Sequence, residues 1–229
     1  MILNPKKLPT VGEYTYDSIK KMIVTGELIP ESRIHLDKLA ESLGVSRVPV
    51  RGALDRLVSE NLVEDIPRRG MLVKSLSINH LKSIYTMRVS LESLAIVSVI
   101  DHASDLELAS IKQLLDEQKF DLNNIGQIMV NNYDFHYNLF ILSKDDTLCK
   151  VLENIWMQCD RYRYIFYKQY SYNNKRIISE HRQLFELVKN RDKQGSLDLL
   201  AKHTWHSYET LSIILGAKPD PLSIRQIAN

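Results

Sequence analysis

Residues 39–73 read LAESLGVSRVPVRGALDRLVSENLVEDIPRRGMLV, and no other stretch restricts the fold of this chain as tightly. Leu36, Leu39, Ala40 and Leu43 recur at helical spacing and stop at Gly44. Ser46 then stands where an N-cap belongs, and Pro49 falls in a first turn that needs no N–H from it. Val50, Leu54, Leu57 and Val58 supply the buried stripe of the helix that follows. Residues 62–66 and 71–73 predict two short strands joined by Pro67, Arg68, Arg69 and Gly70, with Gly70 free to take a positive φ. Helix, glycine turn, helix and hairpin in this order set one helix in a DNA major groove and a β-loop beside it.

The basic residues fall where such a reader needs them. Arg47 and Arg51 lie one turn apart at the start of the second helix, where two guanidinium groups can fork onto guanine edges while Ser46 and the helix N-terminus meet phosphate. Arg68 and Arg69 occupy the hairpin tip, and a narrow minor groove attracts arginine. Taken singly, each is an ordinary solvated charge; taken together in this order, the four form a DNA-reading set. Bulk charge does not contribute, because the net charge of the whole chain is only +2. Residues 1–75 hold 12 Lys/Arg against 10 Asp/Glu, and the remainder holds 18 of each. Attraction to DNA must therefore come from local placement.

A helix over 11–28 precedes this segment, with Tyr14, Ile19, Met22 and Ile23 at helical spacing and Gly26 as its stop. From residue 78 onward no strand pattern occurs, and six helices are predicted near 78–102, 104–118, 122–142, 146–171, 174–190 and 194–216. The expected architecture is thus mainly α: a winged helix-turn-helix in residues 1–75 and an all-helical bundle in 76–229. Cys149 and Cys159 fall on one predicted helix, ~15 Å apart along its axis, which excludes a bridge between them and suits a reducing compartment. Residues 1–10 lack the apolar segment of a signal peptide. The apolar run 89–100 is broken by Glu92 and reads as too short to cross a bilayer. A cytoplasmic location without membrane contact is expected.

Three of the seven histidines lie on apolar faces of separate predicted helices. His136 precedes Leu139 and Phe140, His181 shares a stripe with Ile178, Leu184, Phe185 and Val188, and His203 follows Leu200. Three inward imidazoles could converge on a divalent metal, with Asn132, one turn before His136, adding an oxygen. Each could equally be a satisfied core residue, since spacing between helices does not report distance. Residues 160–172 interleave Arg161, Arg163 and Lys168 with Tyr162, Tyr164, Phe166, Tyr167 and Tyr170. They predict a helix with an aromatic face on the bundle and its basic residues outside.

These residues carry a resemblance. The runs Leu39–Ala40–Glu41, Leu43–Gly44–Val45–Ser46–Arg47, Pro49–Val50–Arg51, Ala53–Leu54, Leu57, Leu62–Val63 and Arg69–Gly70 resemble the winged helix of the GntR family of bacterial transcription regulators. The resemblance implies that Arg47 and Arg51 touch bases or phosphates and that Gly70 lies at the minor groove. Val48 stands where threonine is usual, and Gly52 where glutamate is usual, the latter at about 1 kcal/mol in helix propensity. Arg88 and Glu92, Phe135–His136, Glu180–His181 and His203 resemble the all-helical FCD domain of one GntR subfamily. Six helices are closer to its VanR-type branch than to the seven-helix FadR type.

That likeness implies metal ligation by His136, His181 and His203, with Asn132 where metal-binding members carry an aspartate. Zinc, nickel or manganese is implied as the ion. Arg88 is implied to pair with the carboxylate of a small organic acid effector, or to hold two helices together. The expected protein is a homodimeric regulator on a palindromic operator, with half-sites about 34 Å apart. A direct metal sensor is the alternative. A metal-dependent enzyme fused to a DNA-binding domain ranks lower, because no general base or nucleophile is positioned beside the histidines.

Overall fold

A computed structural model describes residues 9–118, 124–169 and 174–221. The chain divides between Leu76 and Ser77 into two compact units.

In the first unit, α1 (Val11–Thr25) starts in a reciprocal capping box. Thr10 Oγ1 accepts from the Glu13 backbone N–H, and the Glu13 carboxylate accepts from the Thr10 backbone N–H. Helix α2 (Leu36–Leu43) ends at Gly44, whose φ of 66° belongs to the left-handed region that closes helices. Helix α3 (Arg47–Ser59) follows at once. Strands β1 (Val63–Ile66) and β2 (Gly70–Val73) pair antiparallel with Val63 opposite Val73 and Ile66 opposite Gly70. Arg33 adds a bridge to Leu72, supported by Glu31 N–H donating to Val73 O and Ile34 N–H donating to Met71 O, so the hairpin gains a short third edge.

Tyr16, Ile19, Ile23, Leu39, Val50, Leu54, Leu57 and Val73 make the core of this unit. The buried carboxylate of Glu60 accepts from the Tyr16 hydroxyl at 2.7 Å and from Arg56 Nε at 3.0 Å, while the Arg56 guanidinium lies 3.6 Å from the centre of the Tyr16 ring. A buried anion is tolerated because both a phenol and a cation meet it.

The second unit holds six helices among the described residues: α4 (Ile78–His102), α5 (Asp105–Glu117), α6 (Ile125–Ile141), α7 (Asp146–Gln169), α8 (Asn174–Lys189) and α9 (Lys193–Ile214). Helix α4 packs on α6, α7, α8 and α9. Its buried positions Leu81, Ile84, Tyr85, Arg88, Val89, Glu92, Ala95, Ile96 and Val99 follow helical spacing. The apolar run at 89–100 therefore belongs to a 25-residue helix that is long and apolar enough to cross a membrane by length and composition, contrary to the sequence reading. Half of that apolar window is buried inside the unit, and the Arg88–Glu92 ion pair sits within it, so α4 serves here as the central helix of a bundle.

Helix α7 overturns another expectation. Arg161 and Arg163 are 5% exposed, inside with Tyr162, Phe166 and Tyr167, and Arg163 donates through Nη2 to Met129 O of α6 at 2.7 Å instead of to water. Lys168 alone of the three basic residues stays exposed. Tyr170 and Tyr172 lie outside the described residues. Both cysteines, on α7, are free thiols.

Candidate nucleic-acid interface and metal centre

The first unit presents the start of α3 outward. Ser46 holds the N-cap backbone conformation, but its side chain makes no capping bond, so the hydroxyl remains available. Arg47, whose side chain is 73% exposed, is met by Asp37 of α2, with Nε 2.6 Å from Oδ1. Arg51 is exposed one turn on, and Val48 is 80% exposed between them. A Cβ added at Gly52 would meet nothing within 4 Å, which leaves this face of the helix open. At the hairpin tip Arg68 has φ 67° and Gly70 φ 79°, so the bend depends on two left-handed residues.

Sequence reasoning missed Arg33. It is exposed, and its guanidinium comes within 3.7 Å of the Cβ position of Gly70, so the wing carries three arginines instead of two. Only the long-range pairing of residue 33 with the hairpin reveals it. Asp37 was missed because its contact with Arg47 joins two separate helices.

In the second unit, α6, α8 and α9 bring His136, His181 and His203 together. Their ring centroids are 4.8 Å apart (His136–His181), 5.3 Å (His136–His203) and 5.0 Å (His181–His203), and one nitrogen of each lies within 4.8 Å of the others. All three are buried. Burial, reinforced by the other two imidazoles and by Arg88 and Arg163, pushes His136 well below the usual histidine range. Burial, with His203 and Arg163, does the same to His181. Both are held neutral, the form in which imidazole ligates.

Each ring is placed by a different partner. Phe135 stacks on His181 at 4.3 Å. His203 Nδ1 donates to Glu180 Oε2 at 2.8 Å, and Glu180 also accepts from Arg176 Nε. Burial alone would raise the Glu180 carboxyl, but the bonds from His203 and Arg176 hold it down to about 2. A carboxylate on the rear nitrogen of an imidazole is the usual outer support of a metal-ligating histidine, and it leaves His203 Nε2 facing the cluster. His136 makes no hydrogen bond through either nitrogen although both are buried. An orphaned imidazole among two others is a costly core and a suitable ligand set, so the residues present fit a divalent ion.

Asn132 sits beside the cluster, but its amide is engaged. Its Oδ1 accepts from Arg163 Nη2 at 3.2 Å, and its Nδ2 faces His181 Nε2 at 3.2 Å. Arg88 donates through Nε to Glu92 Oε1 at 2.7 Å within α4. Glu92 accepts again from Trp156 Nε1 at 2.9 Å. Trp156 lies under both guanidiniums, 4.1 Å from Arg88 and 4.7 Å from Arg163. Arg88, Arg163, Asn132 and His203 line a cavity of about 20 Å³ with Tyr85 and Tyr167. Glu92, Trp156, Arg163 and Glu180 were not assigned site roles from sequence. Glu180 was adjacent to a candidate ligand, and Arg163 was in view as a surface charge.

Comparison with known proteins agrees with both units. Residues 12–73 match the family described as bacterial regulatory proteins, gntR family, and residues 83–205 match the FCD domain. The chain is 32% identical to the HTH-type transcriptional regulator YdhC of Bacillus subtilis (strain 168), over 87% of this chain and 90% of that protein. It is 28% identical to the HTH-type transcriptional regulator McbR of Escherichia coli (strain K12), over 81% and 86%. The solved structure of E. coli McbR/YncC superposes with a TM-score of 0.76 at 25% identity, covering 91% of this chain and all of that one. These relatives are transcription regulators and not enzymes. This chain belongs to the GntR family of bacterial transcription regulators and carries the FCD domain of that family.

Proposed function

We propose that this regulator binds a palindromic operator as a cytoplasmic homodimer, and that a small organic acid, seated with a divalent ion in the FCD domain, controls that binding. Arg47 and Arg51 are its base-reading pair, Ser46 meets phosphate, and Arg68, Arg69 and Gly70 enter the minor groove. Asp37 lies beside Arg47 on this face, and Val48, exposed on the same face, suits contact with a thymine methyl group. Self-association is supported by α4, which leaves Met87 and Leu94 exposed two turns apart on one face.

His136, His181 and His203 would hold the ion. When bound, it supplies a Lewis-acidic seat for a carboxylate. An all-nitrogen donor set favours zinc or nickel over manganese. The observation that carries this reading is His136, buried with both nitrogens unpartnered between two other imidazoles. Ligand binding then acts by shifting the population of dimer arrangements that fit the operator. A second reading, the ion itself as signal, draws support from the cavity beside His203, which at about 20 Å³ admits one water and nothing larger.

Elemental analysis of purified protein tests the metal, with about one ion per chain expected in the wild type and none in His136→Ala. Fluorescence anisotropy on operator DNA, with zinc alone and with zinc plus acid, separates the two readings. The double variant Arg47→Ala, Arg51→Ala is expected to weaken operator binding by about thirtyfold or more, at about 1–3 kcal/mol for each of the two lost base contacts. Undiminished binding by that variant overturns the interface.

A further inference from the structure

At about 100° per residue, Val48 points half a turn away from the buried Leu57, so it sits on the outermost line of α3. Gly52 follows one turn after Val48, with Arg47 and Arg51 exposed along the same side of the helix. No acidic residue stands in the first turn of α3; the first along it is Asp55, and Asp37 of α2 is paired with Arg47. The face is cationic at its leading end.

Gly52 is not required by the fold. It lacks the positive φ of Gly26, Gly44 and Gly70, and a Cβ added to it would meet nothing within 4 Å. Alanine would fit there and would hold the helix better, because a helix-interior glycine is the poorest former after proline. A glycine that internal packing does not need, on a face turned to a ligand, suits a close approach between backbone and ligand. Val48 is β-branched and 80% exposed, and it too gains nothing from the core. A lone exposed valine is ordinary. One placed a turn from a bare glycine, beside two arginines, forms an apolar notch in a cationic surface. Among the base edges of the major groove, thymine's alone carries a methyl group.

We propose that Gly52 lets α3 sit close against the floor of the major groove, where Val48 and the bare backbone at Gly52 enclose the 5-methyl group of a thymine. The operator then carries an A·T pair next to the bases that Arg47 and Arg51 meet. This deepens the interface reading above and rests on α3 being the base-reading helix.

The test uses full-length protein and a duplex that the wild type selects from a randomised DNA library. Each thymine is replaced in turn by deoxyuridine, which lacks the methyl group and keeps every hydrogen-bonding edge, and affinity is read by fluorescence anisotropy. The wild type is expected to lose about fourfold at one thymine of a half-site, the effect of unburying one such group. Val48→Ser is expected to bind the thymine and deoxyuridine duplexes alike. Gly52→Ala is expected to melt at the same temperature as the wild type or higher, yet to bind the selected duplex about tenfold more weakly, because the added methyl overfills the contact. A role confined to the fold would move stability and affinity together.

A wild type indifferent to deoxyuridine at every position, full discrimination in Val48→Ser, or undiminished affinity in Gly52→Ala overturns the notch. If Arg47→Ala, Arg51→Ala still loses binding in that case, α3 remains the reading helix and only the notch falls. Undiminished binding by that double variant removes α3 from the interface, and the notch with it.

Discussion

The two units use arginine in opposite ways. In the winged helix, Arg47, Arg51 and Arg33 stand in water, and the ion pair of Arg47 with Asp37 is exposed on both sides. Such a pair is worth little to stability, so these residues are free to be selected for what they touch outside the protein. In the FCD domain, Arg88 and Arg163 are buried, each against a carboxylate and over the same tryptophan. Removing one member there strands a charge. An arginine outside costs the fold almost nothing and acts on a partner; an arginine inside is part of the fold and can act only through what enters its cavity.

The sharpest way to break this comparison is Glu92→Ala. It leaves the Arg88 guanidinium and the Trp156 N–H without their acceptor and is expected to destabilise the FCD domain by about 3–5 kcal/mol in urea unfolding. Arg47→Ala, measured alongside, is expected to stay within about 0.5 kcal/mol of the wild type. Similar losses in the two variants would erase the contrast.

Arg33→Ala sharpens the other side. Stability should hold, while operator affinity falls about tenfold and the slope of log affinity against log salt decreases by about one, as for one lost phosphate contact. An unchanged salt slope would remove Arg33 from the interface.

The smallest effect concerns alkali. Burial pushes the Cys159 thiol up to about 12 and raises the phenols of Tyr85 and Tyr167. Groups raised in the folded state stabilise it fully below their unfolded values and lose that contribution as pH climbs through the folded ones. For Cys159 the window runs from about 9 to about 12. Thermal melts are expected to show declining FCD-domain stability across this range, less so in Cys159→Ala.

Much of the winged helix was legible because its signals are local. Gly44 ends one helix, Pro49 opens the next, and two short apolar runs flank a basic turn. The residues sequence reasoning missed there, Arg33 and Asp37, owe their positions to a pairing with the hairpin and a contact between helices. In the bundle, apolar spacing gave the helices and the inward faces of the three histidines, but convergence came only from family likeness. Arg163 read as a surface charge because a helix pattern cannot show that Asn132 and Met129 wait on the inside. Partners separated by about thirty residues leave no trace in periodicity.

Glu180 and His181 are neighbours in the chain, yet one steadies His203 of α9 and the other faces Asn132 of α6. Successive residues diverge by about 100° around a helix axis. Helix α8 is therefore keyed at two angles at once and has a single rotational setting that serves both. A one-residue insertion or deletion before Glu180 would turn both keys away together, whereas lengthening the segment beyond Lys189 would leave them seated.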